Sequence, residues 1–141
     1  MDRNATAVWK GTLKEGSGTI DTQSGAFKAA PYSFKGRFED ESGRSGTNPE
    51  ELIAAAHAAC YAMQLSHFLA ENGTPADRLE ANAVVTLVPG TGITGSALTL
   101  VGAVPGIDAG KFRELADKAK QECPVSKALG AIKVTLDARL A

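Results

Sequence analysis

The longest run of apolar and small residues in this chain predicts one central helix. Asn48 can cap the helix, Pro49 can occupy its first position, and Glu51 can complete a capping box. We expect the helix to end near Glu71, where an Asn-Gly pair follows. Its interior, residues 52–63, is apolar almost all round, which is typical of a helix buried at the centre of a protein.

Alternating apolar and polar residues predict strands before and after this helix. The first two segments form a hairpin, and the last strand places Ile132, Val134, Leu136 and Ala138 on one face. Because the strands come in hairpin-like pairs, we predict an α+β fold with antiparallel sheets. The predicted strands are residues 6–13, 18–22, 26–30, 32–38, 79–88, 93–104 and 132–138.

Two further helices are predicted between the last two strands. Asp108 can cap a helix over Ala109–Glu122, and a Cys-Pro pair then interrupts it. Pro124 can begin a short helix that ends near Leu129. The polar, glycine-containing residues 39–46 are predicted to form a loop. The inner face of the longer helix is predicted to carry Phe112, Leu115, Ala116 and Ala119.

Composition narrows the class of protein. The chain has 141 residues, 43% of them hydrophobic and 22% charged, so we expect a single globular domain over residues 1–141. A net charge of −1 argues against nucleic acid or an anionic membrane as a partner. Residues 52–63 are too few to span a bilayer, and the N-terminus lacks the apolar region of a signal peptide. We therefore expect a cytoplasmic protein.

The chain contains two cysteines, Cys60 and Cys123. In a reducing cytoplasm such a pair is more typical of reactive thiols than of a structural disulfide. Cys60 lies in mid-helix, where the helix dipole contributes little, so a thiolate there needs a separate cation. Cys123 is predicted at the start of the short helix, which favours its thiolate. The alternatives are that Cys60 is simply a small buried apolar residue and that any small polarisable residue would serve in place of Cys123 at the helix break.

Charged residues near Cys60 have competing interpretations. Glu50 and Glu51 suit the first turn of a helix, and Glu50 is the freer of the two to hold an arginine. Arg37 and Arg44 lie upstream. His57 is one turn before Cys60 and could be a base or a ligand, but a hydrogen-bonded core histidine is favoured.

The sequence gives no sign of a bound cofactor or metal. It has no zinc-type Cys/His spacing, no phosphate loop, no dinucleotide fingerprint and no Gly-x-Ser-x-Gly elbow. We therefore expect neither a cofactor nor a metal.

Several motifs together resemble the OsmC/Ohr family of thiol peroxidases. They are residues 46–60, the Val-Pro-Gly-Ile-Asp of residues 104–108 and the Cys-Pro-Val-Ser of residues 123–126, while residues 32–39 resemble the segment that carries the family's arginine. His57, where the Ohr branch has tyrosine, points to the OsmC (osmotically induced protein C) branch. The resemblance implies an intertwined α+β homodimer with central helices at its core and active sites at the subunit interface.

The resemblance also implies a function in oxidative or osmotic stress defence. Cys60 would be the peroxidatic cysteine and Cys123 the resolving one, forming a disulfide, while Arg37 and Glu50 would assist Cys60. The expected substrates are organic hydroperoxides, with hydrogen peroxide as a further candidate, and the reductant is an external dithiol such as a lipoyl group. The loop over residues 38–49 is longer than the family pattern and carries Arg44, which could compete with Arg37 for the Glu50 carboxylate.

Two other functions remain open from the sequence. The same dimer could be a non-catalytic protein that binds a hydrophobic ligand beside inert thiols. Alternatively, His57, Cys60 and Cys123 could form a metal site. Slow alkylation of the thiols would favour the first, and metal analysis would identify the second.

Overall fold

The computed structural model describes residues 1–141. Backbone contacts divide them into two compact units, Met1–Pro49 and Glu50–Ala141.

The first unit is built on a three-stranded antiparallel sheet. Its strands are β1 (Ala5–Lys10), β2 (Ser17–Thr22) and β3 (Ala30–Ser33), in the order β1-β2-β3. The predicted hairpin is confirmed. Gly18 lies between Trp9 and Tyr32 in register, and a side chain at Gly18 would collide with the Tyr32 ring. The rings of Trp9 and Tyr32 approach within 5.3 Å, centre to centre, across this glycine.

The segment after β3 differs from the prediction. Residues 26–29 form bends rather than a strand, and the strand predicted over 32–38 ends at Ser33, after which helix α1 (Phe34–Phe38) begins. Ser33 causes the change, because its side-chain oxygen accepts a hydrogen bond of 3.0 Å from the Gly36 N–H and caps the helix. Local capping therefore outweighs the strand preference of the aromatic residues.

The predicted loop at residues 39–46 is confirmed, and Asp40 organises it. The Asp40 carboxylate accepts hydrogen bonds from the Ser42 hydroxyl (2.6 Å) and from the backbone N–H groups of Arg44 and Ser45. Hydrogen bonds from Ser42 and Ser45 hold the pKa of Asp40 well below its usual range. The loop is therefore wrapped around an ionised carboxylate.

The second unit contains the central helix α2 (Pro49–Glu71), whose predicted bounds are confirmed. It ends at Glu71, and Gly73 just beyond it has a φ of +77°, a conformation that suits a residue without a side chain. One face of α2 is buried, while the opposite face, which includes Ala55, Ala59 and Met63, is exposed in the single chain. Met63 is 75% exposed. Burial all round, as the sequence predicted, is thus not reached within one chain.

The sheet of the second unit is mixed. Strands β4 (Arg78–Val88) and β5 (Gly92–Ala103) are antiparallel, but β6 (Lys133–Leu140) pairs with β5 in parallel. The predicted α+β class is confirmed, whereas antiparallel pairing is wrong for β5 and β6. The connection between them runs through helices α3 (Ala109–Glu122) and α4 (Pro124–Ala128), and such a long crossover lets the second strand run in the same direction as the first.

The core of the second unit lies between α2, α3 and the β5 side of the sheet. The predicted cap of α3 is confirmed, since Asp108 accepts a hydrogen bond of 2.9 Å from the Lys111 N–H. The predicted inner face of α3 is buried as well. The fully or nearly fully buried core residues are Tyr61, Leu65, Phe68, Leu69, Leu98, Leu100, Val104, Phe112, Leu115, Ala116, Ala119 and Cys123.

Helix α2 has 23 residues and is long and apolar enough, by length and composition alone, to cross a membrane. No membrane-spanning segment was predicted from the sequence, because the prediction considered only the apolar residues 52–63. The helix extends beyond that stretch at both ends. Core helices of soluble proteins pass the same test. Here α2 contributes Tyr61, Leu65 and Leu69 to the core, which is the role expected of a core helix.

Candidate active site

The fold brings the two cysteines together, although 62 other residues separate them in the chain. Cys60 is half-buried on α2 and packs against the core, and Cys123 is fully buried between α3 and α4. Both are free thiols, and the Cys60 side chain is hydrogen-bonded to that of Cys123. The two thiols are thus neighbours in the fold, and a disulfide between them would require their Cα atoms to lie within about 7 Å.

The break between α3 and α4 positions Cys123. The Cys123 N–H donates to the Ala119 carbonyl (2.9 Å) and closes α3, and Pro124 begins α4 as predicted. Cys123 occupies the N-cap position of α4, but its side chain makes no capping hydrogen bond there. Its sulfur contacts Cys60 instead, while the backbone of Val125 in α4 is hydrogen-bonded to the Cys60 sulfur.

The surroundings of Cys60 do not by themselves favour a thiolate. Burial raises the pKa of the Cys60 thiol, and the neighbouring Cys123 raises it further. The hydrogen bond from the Val125 N–H acts in the opposite direction and lowers this pKa, but it is outweighed. A thiolate at Cys60 would therefore need a nearby cation, in line with the expectation from its mid-helix position.

His57 is a hydrogen-bonded core histidine, which confirms the favoured interpretation. Its Nδ1 atom lies 2.7 Å from Ser96 Oγ on β5, and its Nε2 atom lies 2.8 Å from Ser126 Oγ on α4. Its side chain is fully buried, and burial lowers its pKa. Both ring nitrogens are occupied by serine hydroxyl groups, so His57 does not join the cysteines in a metal site. No group of three His, Cys, Asp or Glu residues that could hold a metal ion is present.

The two serines and the Val125 N–H were not identified as site residues from the sequence. Ser126 lies in the Cys-Pro-Val-Ser motif, so it could have been considered as a partner for a buried histidine. Ser96 stands on the same face of β5 as the buried Leu98 and Leu100, and a polar residue at an inward position signals a buried hydrogen-bond partner. The Val125 contact depends on backbone geometry, which carries no sequence signal.

The buried His57 makes stability depend on pH. Because its pKa in the folded protein is lower than its ordinary value of 6.5, the unfolded chain binds a proton that the folded chain excludes. The free energy of unfolding should therefore be highest above about pH 6.5 and fall by up to about 1.4 kcal/mol per pH unit below it, until the folded-state pKa is reached. Urea unfolding across this range measures the slope.

The matched variant is His57→Asn, which removes the titrating ring. It should flatten the slope below about pH 6.5 relative to the parent protein, whatever its effect on stability at neutral pH. An unchanged slope in His57→Asn would assign the pH dependence to other groups.

The predicted charged partners lie at exposed or half-buried positions. Arg37 is exposed on α1, with its guanidinium carbon 4.9 Å from the centre of the Phe38 ring. Arg44 is exposed in the loop around Asp40, and Glu50 is half-buried in the first turn of α2. Their roles toward Cys60 remain predictions.

The first unit contains an apolar cavity of about 280 Å³. Aromatic and aliphatic side chains form most of its wall, and Arg37 adds one positive charge. Such a cavity can hold a small organic group next to a polar or anionic one. Its lining residues are Trp9, Leu13, Tyr32, Ser33, Phe34, Arg37, Thr47, Asn48 and Pro49.

Comparisons with known proteins agree with the resemblance seen in the motifs. The family model described as "OsmC-like protein" matches residues 40–137. The chain is 47% identical to "Peroxiredoxin OsmC" of Escherichia coli (strain K12), covering 99% of this chain and 97% of that protein. It is 39% identical to "Organic hydroperoxide resistance protein" of Xanthomonas axonopodis pv. citri (strain 306), covering 67% of this chain and 68% of that protein.

A solved structure gives the same result for the fold. The organic hydroperoxide resistance protein OhrB of Bacillus subtilis superimposes with a TM-score of 0.69 at 27% identity, covering 96% of this chain and 97% of that chain. The similarity to the OsmC relative extends over more of the chain, and at higher identity, than the similarity to the Xanthomonas protein, as expected for the OsmC branch. The chain belongs to the OsmC-like family.

Proposed function

We propose that this protein is a thiol-dependent peroxidase that reduces organic hydroperoxides in stress defence, with Cys60 as the peroxidatic and Cys123 as the resolving cysteine. The observation that carries the proposal is the direct contact between a half-buried thiol and a fully buried one. The names of the relatives, a peroxiredoxin and organic hydroperoxide resistance proteins, confirm the predicted class of enzyme. The roles of Cys60 and Cys123 are proposed here from their positions and from the family resemblance.

The chemistry has two steps before reduction. The Cys60 thiolate attacks the terminal oxygen of the hydroperoxide, the O–O bond breaks, and the departing alkoxide takes up a proton to become an alcohol. Cys60 is then a sulfenic acid. The Cys123 sulfur attacks the Cys60 sulfur, the S–O bond breaks, water leaves, and a Cys60–Cys123 disulfide forms. An external dithiol, for which a lipoyl group is our candidate, returns both thiols to the reduced state.

Arg37 is proposed to supply the cation that Cys60 requires, and Glu50 to hold its guanidinium group. A positive charge beside the sulfur opposes the effects of burial and of Cys123 on the Cys60 pKa. A carboxylate paired with a guanidinium by two parallel hydrogen bonds fixes its orientation. Arg44 is the competing candidate.

We further propose that the chain works as one OsmC-like domain within a cytoplasmic homodimer. The exposed apolar face of α2 supports the dimer, since Met63 is 75% exposed while alanines line the same face. Small residues on a helix surface allow a second helix to approach closely. Burying this face against a second copy would complete the burial that the sequence predicts for α2.

The test is a peroxide titration of the fully reduced protein. One equivalent of cumene hydroperoxide per chain should remove both free thiols and lower the mass by two hydrogens, without a crosslink between subunits. Thiol counting and mass spectrometry after each addition measure this. Thiols that survive excess peroxide would overturn the proposal.

The second candidate function is a non-catalytic protein that binds a hydrophobic ligand. The apolar cavity of the first unit favours it, because a pocket of aromatic side chains with one arginine suits an amphiphilic ligand whether or not chemistry follows. In that case both thiols should be alkylated slowly and resist peroxide. A fast, peroxide-sensitive Cys60 excludes this alternative.

A further inference from the structure

Three elements of the second unit are linked by one buried chain of hydrogen bonds. His57 on α2 contacts Ser96 on β5 through Nδ1 (2.7 Å) and Ser126 on α4 through Nε2 (2.8 Å). The three side chains are each less than a tenth exposed. A neutral imidazole donates from one nitrogen and accepts at the other, and each serine hydroxyl can take the complementary role. Each buried nitrogen and oxygen atom of these three side chains therefore has a hydrogen-bond partner while the imidazole stays neutral.

These hydrogen bonds hold the short helix α4 in position. It has five residues, Cys123 stands at its N-cap, and its Val125 N–H is hydrogen-bonded to the Cys60 sulfur. A helix of this length has little stability of its own. Its position relative to α2 thus depends on contacts such as the one between Ser126 and His57, which lies one turn before Cys60 on α2.

We infer that His57 is a positioning residue for disulfide closure: through Ser126 it holds α4 so that the Cys123 sulfur stays within reach of Cys60. This inference rests on the proposed peroxidase function and concerns its second step. His57 itself touches neither the peroxide nor a reacting sulfur in this role. It determines how often Cys123 is correctly placed when Cys60 has become a sulfenic acid.

The step that depends on this placement is the attack of Cys123 on the Cys60 sulfenic acid. The S–S bond forms as the S–O bond breaks, the departing hydroxide takes the proton of the Cys123 thiol, and water leaves. Until then the sulfenic acid can react with a second peroxide molecule and become a sulfinic acid, which the external dithiol does not repair. A displaced α4 should therefore favour overoxidation.

The experiment compares Ser126→Ala with its matched control Ser96→Ala. Each variant removes one serine hydroxyl from His57, but only Ser126→Ala removes the link to α4. After one equivalent of cumene hydroperoxide, Ser126→Ala should close the disulfide about tenfold more slowly, the factor expected when one buried hydrogen bond is lost. Trapping of the sulfenic acid by dimedone and the sulfinic acid content after excess peroxide should both rise in Ser126→Ala.

A second pair of variants at His57 gives an independent comparison. The amide nitrogen of glutamine lies near the position of Nε2, and that of asparagine lies near the position of Nδ1. His57→Gln can therefore retain the contact with Ser126, whereas His57→Asn can retain only the contact with Ser96. We expect slow closure in His57→Asn and faster closure in His57→Gln. This pair also serves if Ser126→Ala fails to fold.

The outcomes distinguish a failure of the proposed peroxidase function from a failure of the role inferred for His57. If the parent protein forms no disulfide with peroxide, the proposed function fails. If the parent closes its disulfide but both serine variants close it at the same rate, with similar losses in the free energy of unfolding, His57 has only a structural role and the inference fails. Slow closure confined to the variants that lose the Ser126 contact supports it.

Discussion

Replacing Cys60 with serine is expected to abolish peroxide turnover in the presence of a dithiol. A serine hydroxyl is not ionised at neutral pH and cannot form a sulfenic acid, so the first step has no nucleophile. We expect the rate to fall by at least roughly three orders of magnitude, the scale seen when a covalent nucleophile is removed from an enzyme. Consumption of cumene hydroperoxide by the purified variant measures it.

Cys123→Ser is the matched control, because it removes the other cysteine of the chain and leaves Cys60 in place. It should consume one equivalent of peroxide per chain, accumulate a Cys60 sulfenic acid and then stall. Full multiple turnover in Cys123→Ser would remove Cys123 from the mechanism, and retained activity in Cys60→Ser would overturn the assignment of the peroxidatic cysteine.

Replacing Arg37 with alanine is expected to raise the pKa of Cys60. Burial and Cys123 already raise this pKa, and the Val125 N–H only partly opposes them. An opposite charge within a few ångströms lowers the pKa of an acid by roughly one to three units, so its removal should cut the thiolate fraction at neutral pH by about ten- to a thousandfold. The pH dependence of Cys60 alkylation, followed in Cys123→Ser, reports the pKa directly.

Arg44→Ala is the control for charge. Like Arg37→Ala, it removes one guanidinium group, but from an exposed position in the loop that Asp40 organises. If Arg37 is the thiolate partner, Arg44→Ala leaves the alkylation profile unchanged. A profile that moves only in Arg44→Ala would transfer the role to Arg44, in line with the longer loop that made the choice open.

Local signals in the sequence were sufficient for most elements. The bounds of α2 follow from the Asn-Pro-Glu-Glu start and the Asn-Gly end, and those of α3 follow from the Asp108 cap. The strand predicted over residues 32–38 was wrong. Alternating aromatic residues favour a strand, whereas Ser33 caps a helix that only the three-dimensional backbone reveals. Each of these outcomes was decided within a few residues.

The pairing of strands that are distant in the sequence was harder to predict. The parallel pairing of β5 and β6 depends on how α3 and α4 pack back onto the sheet, and a period of two in each strand is the same for either direction. The same limit applies to the candidate site. The cysteine types and the family resemblance pointed to Cys60 and Cys123, but their contact, the Val125 N–H and the serines around His57 arise from packing between distant segments.

The unequal burial of the two cysteines sets the direction of thiol exchange in the proposed cycle. Cys123 is fully buried, while Cys60 is half-buried. An incoming dithiol can therefore reach only the Cys60 side of the disulfide, so the mixed disulfide forms on Cys60 and Cys123 is the leaving group. Oxidant and reductant then use one entrance and one sulfur in alternation, which is the physical basis of ping-pong kinetics. While the disulfide persists, that sulfur is closed to a second peroxide molecule.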